Sequence, residues 1–80
     1  MIEEPHYYVN EVLKFDKQTK ERRKQLIEEQ KKDVAFLKRV LTKQEKVREL
    51  EKGELDFTIR LKYAQQVLSI MEIKNYELDR

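Results

Sequence analysis

A single proline at position 5 and a single glycine at position 53 are the only strong backbone breakers in the chain. Proline fixes φ and removes a donor, and glycine frees the backbone, so sharp reversals are expected near these two positions and helix between them. From Lys17 to Lys52 the sequence is dominated by Lys, Arg, Glu and Gln around a sparse set of Leu, Ile, Val and Phe. These are strong helix formers, and pairs such as Glu28 with Lys32 and Glu45 with Arg48 stand one turn apart with opposite charge. The stretch therefore predicts one long charged helix over 17–52, or two in tandem. Its apolar residues crowd into Val34, Ala35, Phe36, Leu37, Val40 and Leu41, so the packed part is expected there and the Lys17–Gln25 end is expected in solvent. Thr42-Lys43-Gln44-Glu45 has the form of a capping box, which marks where this helix can break; a continuous helix through Thr42 is the alternative.

Residues 1–16 predict a short N-terminal helix or cap. Pro5 suits a first helical turn, Glu3 and Glu4 precede it on the side the helix dipole favours, and Tyr8, Val12 and Phe15 fall at i, i+4 and i+7 with Val9 and Leu13 beside them. Asp16 is placed to cap the next helix. At the other end of the long helix, Gly53 follows Arg48 and Lys52 and is the expected turn, closing the last helical turn in the left-handed conformation. Residues 53–80 then form the third segment. Leu55, Phe57, Ile59, Leu61 and Tyr63 alternate with polar residues as in a half-buried strand, but no other segment alternates to pair with them. Phe57, Leu61, Ala64, Leu68, Met71, Asn75 and Leu78 follow the 4,3 spacing of a heptad, so an amphipathic helix is the expected form, with Asn75 its one polar position.

The expectation is an all-α single domain: an elongated helical hairpin turning at Gly53, with a short N-terminal helix laid across it. Eighty residues that are 39% hydrophobic and 42% charged make a small core, and such chains gain burial by associating. Leu55, Ile59, Val67, Ile70 and Ile73 lie off the heptad stripe, so the last helix is apolar on more than one side. Those five residues are the expected interface of a homo-oligomer, or of a complex with a larger protein partner to which the chain acts as adaptor or inhibitor.

Charge is unevenly laid out. Residues 17–52 carry thirteen Lys and Arg against seven Asp and Glu, although the whole chain is only +2. This suggests, as the alternative function, a DNA-binding regulator that meets phosphates through Lys17, Lys20, Arg22, Arg23, Lys24, Lys31, Lys32, Lys38 and Arg39; mixed-sign charge on exposed helices is the commoner case.

Catalysis finds little material. Ser69 and His6 are the only serine and histidine, far apart in sequence, and there is no cysteine. No H-x-x-x-H or C-x-x-C spacing occurs, and His6 has no second histidine to ligate with, so neither a metal, a cofactor nor an enzyme is expected. Glu29 with Asp33, and Glu45 with Glu49, each have bases beside them and fit a solvated face. The acidic start, the missing long apolar run and the lack of cysteine point to a cytoplasmic chain with no membrane segment. Gln65-x-x-Leu68-x-x-Met71 resembles the glutamine-led peptides that dock on sliding clamps but lacks their paired aromatics, and core packing accounts for it. Leu41 to Glu45, leading to Leu50 and Gly53, resembles the start of some bacterial helix-turn-helix domains, with no recognition helix after it.

Overall fold

Helix dominates the computed structural model, which describes residues 4–47 and 52–79, with side-chain surroundings for 4–43 and 58–79; no strand occurs among the described residues. The chain opens with α1, Pro5–Tyr7, which has proline at its start and continues directly into a π-helical turn over Tyr8–Val12. There the Leu13 N–H donates to the Tyr8 carbonyl at 3.2 Å, an i to i+5 bond. The extra residue in this turn rotates the side chains beyond it, so the expected stripe of Tyr8, Val12 and Phe15 does not form: Val9 is fully buried and Val12 is exposed. A helix periodicity of 3.6 cannot anticipate a wider turn.

Lys14 then takes up a left-handed conformation, φ 48° and ψ 50°, and reverses the chain into a 3-10 turn over Phe15–Lys17 that seats Phe15 with no exposed surface. For a residue with a Cβ this conformation costs roughly 1–2 kcal/mol. Lys14→Gly is therefore expected to stabilise the protein by up to about 1 kcal/mol in urea unfolding, the gain being trimmed by glycine's greater freedom in the unfolded chain. Lys14→Val should destabilise it by more than about 1 kcal/mol.

Helix α2, Lys20–Val47, begins three residues later than expected. Thr19 caps it: its Oγ1 accepts from the Arg22 N–H at 3.1 Å and its carbonyl from the Arg23 N–H at 2.8 Å, leaving Asp16 and Lys17 in the preceding turn. A threonine hydroxyl at this spacing satisfies an orphan donor of the first turn. At Thr42 the helix does not break, because Thr42 Oγ1 donates back to the Lys38 carbonyl at 2.9 Å, the local bond a threonine makes inside a helix.

Helix α3, Lys52–Leu78, takes in both the ambiguous 55–63 stretch and Gly53, which lies in its first turn. Gly53 is helical, so the left-handed closing residue expected there is not found, and residues 48–51, through which the chain passes from α2 to α3, lie outside the described residues. Glycine costs least in a first turn, where the N–H groups lack intrahelical partners.

The two long helices pack antiparallel. Gln30 Nε2 donates to the Ala64 carbonyl at 3.0 Å, and nearer the start of α2 Arg23 Nη1 donates to Asn75 Oδ1 at 2.8 Å near the end of α3. Among the described residues, apolar burial is densest at this open end of the hairpin. Leu26 and Ile27 of α2, Val67 and Met71 of α3, and Val9 and Phe15 of the N-terminal segment make one cluster. A smaller one joins Val34, Leu37 and Ala64, with Leu61 and Leu68 half-buried against it. The Lys17–Gln25 end is mostly exposed as expected, with Arg23 the buried exception, but the larger cluster draws on Leu26 and Ile27 just beyond it and only the smaller one on the expected middle. The N-terminal segment supplies the third wall at the larger cluster and does not reach the second cluster.

Candidate interaction surfaces

Where that third wall runs out, the hairpin holds an open groove of about 480 Å³. Its floor is Leu37, Ala64 and Val67; one wall carries Phe36 and Asp33 from α2, the other Ile59, Arg60 and Tyr63 from α3. Tyr8 closes one end, packed edge-to-face on Tyr63 with ring centroids 6.0 Å apart. Phe36 is 57% exposed and Ile59 is 45% exposed. An aromatic and a branched aliphatic that stand out beside an apolar hollow are a costly arrangement in water. Phe36 thus stands apart from the packed middle expected of the long helix. Spacing alone locates it, since Val34, Leu37 and Leu41 follow the 3,4 period and Phe36 falls outside it.

The residues expected to form an interface are spread over different environments. Val67 is only 1% exposed and belongs to the main core, so it offers almost no surface of its own to a partner and serves as the floor of the groove; the register of α3 puts it between Ala64 and Met71 on the inward face. Ile70 is half-buried against the same cluster, Ile59 lines the groove, and Ile73, 58% exposed, stands near Ser69 and Tyr76 on the outer side of α3. The side chain of Leu55 lies outside the described residues. Leu68 and Met71, the apolar positions of the clamp-peptide spacing, are turned into the core.

The basic stretch likewise divides. Arg23 is 8% exposed and is held as a structural link: its Nη1 donates to Asn75 Oδ1, its Nε to the Gln18 carbonyl at 3.3 Å, and its Nη2 lies 3.5 Å from Asp79 Oδ1. It is therefore withdrawn from any phosphate surface, because the N-terminal turn and the end of α3 close over it. Asn75, the polar position of the heptad, is its acceptor. Arg22 is shared between Gln25 Oε1 at 3.2 Å and Glu29 at 3.9 Å, and Lys31 lies 3.7 Å from Glu28. Lys17, Lys20, Lys24, Lys32, Lys38 and Arg39 are exposed. Lys20, Lys24, Lys31 and Lys38, spaced by 4, 7 and 7, follow one flank of α2. Next to it Glu21, Glu28 and Glu29 share a shallow depression with Lys24 and Lys32, so the outer surface of α2 is of mixed sign.

No group of three or more His, Cys, Asp or Glu stands together as metal ligands among the described residues. His6 Nε2 is 3.1 Å from Glu4 Oε2 with both side chains largely in solvent. Ser69 lies in a different shallow depression, beside Pro5 and Ile70. Among the described residues no helix is long and apolar enough to cross a membrane. Neither a family model, nor a curated protein, nor a solved structure was found to match the chain.

Proposed function

We propose that the chain is a small non-catalytic assembly module of the cytoplasm, acting with further copies of itself or as an adaptor on a larger protein. The observation that carries this reading is the groove flanked by Phe36 and Ile59, in which exposed apolar side chains border an apolar floor. Binding sites in proteins have this character, with hydrophobic and aromatic linings and few polar groups. The alternative of a nucleic-acid binder loses Arg23 to the interior and keeps a lysine flank interrupted by acids, which weakens a continuous phosphate track.

Solution mass measured over a range of concentrations, alone and with duplex DNA or RNA, tests the reading. A mass that rises with concentration and ignores nucleic acid is the expected result. A chain that stays single and is taken up by DNA or RNA with a steep salt dependence would reverse the order of the two readings.

A further inference from the structure

We infer that the N-terminal segment is an exchangeable strap: its reversal over residues 14–18 straightens, and two copies of the chain each dock the segment on the other in a two-fold, segment-swapped dimer. The inference rests on the assembly reading above and specifies how two copies are joined.

The docking position of the segment is already occupied within one chain. Val9 and Phe15 have no exposed surface and meet Leu26, Ile27, Val67 and Met71 of the two long helices. A second copy carries the same segment, so the site is complementary to it without any new surface. The hinge decides whether the segment is exchanged.

That hinge is strained where the sequence supplies no breaker. Pro5 and Gly53 are the only proline and glycine, and Lys14, Lys17 and Gln18 are good helix formers. Yet Lys14 is left-handed at φ 48°, and Gln18 is extended at φ −81° and ψ 154°. Local preference and the observed reversal disagree here, and a short hinge under strain invites exchange. In an unbroken helix Tyr8, Val12 and Phe15 share one stripe, so the straight form also gives an apolar face to Val12, which is now 55% exposed.

The direction of the docked segment suits the exchange. Gln18 stands level with Asn75, where Arg23 donates to both, and Tyr8 stands level with Tyr63. The segment therefore runs antiparallel to α2. Straightening continues it backward from the start of α2 and past the open end of the hairpin, where a two-fold axis sets it antiparallel to α2 of the second copy. Its present orientation is thereby reproduced. As helix, residues 5–19 span roughly 22 Å, more than the roughly 18 Å of α3 between Tyr63 and Asn75, so the reach is sufficient. A short tether gives a segment an effective concentration of about 1 mM at its own site. Relief of Lys14 in both chains lowers the concentration at which exchange prevails.

The test uses the full-length chain, which has no cysteine. Pro5 and Ser69 line one shallow depression away from the groove, so Pro5→Cys copies and Ser69→Cys copies are mixed, unfolded in urea, refolded together and treated with a short bis-maleimide. Cross-linked pairs containing one copy of each kind are expected, and sedimentation equilibrium should find dimer of the unmodified chain below about 1 mM. Lys14→Gly, which accepts the left-handed conformation and weakens the straight helix, should raise the dimer dissociation constant by about tenfold. Lys14→Val, which resists that conformation, should lower it. Lys14, Lys17 and Lys20 are exposed and gather near the axis from both copies, so added salt should strengthen the dimer. A single-chain mass throughout that range would overturn the exchange and leave the assembly reading to a larger partner. A dimer that gives no mixed cross-link, or that is indifferent to both Lys14 variants, excludes the exchange while the assembly reading stands. Uptake of the single chain by DNA or RNA removes both.

Discussion

Phe15→Ala is expected to cost the fold about 3–5 kcal/mol, the usual range for emptying a fully buried aromatic site. A domain of this size has only about 4–12 kcal/mol in total, from roughly 0.05–0.15 kcal/mol per residue. Phe15 has no exposed surface and shares the main cluster with Leu26, Ile27, Val67 and Met71. It is also the residue that the left-handed Lys14 and the 3-10 turn exist to place. The short N-terminal helix is far below the length at which a helix is stable alone, so it will not stay docked once this anchor is cut. Urea unfolding followed by circular dichroism should show a lower midpoint together with a smaller m-value, since less surface remains to be exposed when the N-terminal segment is already loose. A loss of stability below about 1 kcal/mol would mean that the segment is held by something other than Phe15.

Arg23→Ala should destabilise by about 2–4 kcal/mol, whereas reversing exposed charges on the same helix, for example Lys24→Glu, should change stability by less than about 0.5 kcal/mol. The difference comes from what is left behind. Truncating Arg23 deprives Asn75 Oδ1 and the Gln18 carbonyl of their donor in a part-buried site and removes the contact to Asp79. Asn75→Leu supplies the companion measurement. Introduced alone it leaves the guanidinium short of a partner and should destabilise; combined with Arg23→Met it should recover much of the loss, as apolar replacement of a buried polar pair often does. Additive losses in the double variant would show that the two residues are not coupled.

The helical architecture is legible in the sequence because composition and period agree. The absence of a partner strand decides 55–63 in favour of helix, and the near lack of breakers predicts long elements. The N-terminal segment is also legible as cover for the hairpin. Its geometry is not, because one additional residue in the turn at Tyr8–Val12 moves burial from Val12 to Val9, and local propensity carries no signal for that. Arg23 escapes for a different reason. Among Lys20, Arg22 and Lys24 it looks like one more solvated base, and only its position, three and four residues before Leu26 and Ile27, places it on the inward face. Asn75 offers the matching sign as a polar residue in an otherwise apolar stripe. A buried base and a polar heptad position, each anomalous alone, explain one another. The groove is the least legible feature, since it arises where the N-terminal wall ends and no single segment encodes that boundary.

The placement of the main cluster at the open end of the hairpin has a consequence for how the molecule comes together. A helical hairpin with its best contacts beside its turn can close progressively, each pair of turns stabilising the next. Here the larger of the two clusters among the described residues unites Phe15 and Leu26 with Val67 and Met71, and the Arg23–Asn75 link spans 52 positions. Closing a loop of that length costs entropy before any of those contacts exist. Among the described residues, the smaller Val34–Leu37–Ala64 cluster is the only one on the way. The larger of the two described clusters therefore forms only once that loop has closed, so the open end of the hairpin is the last part to gain its contacts and the part on which the most apolar burial depends.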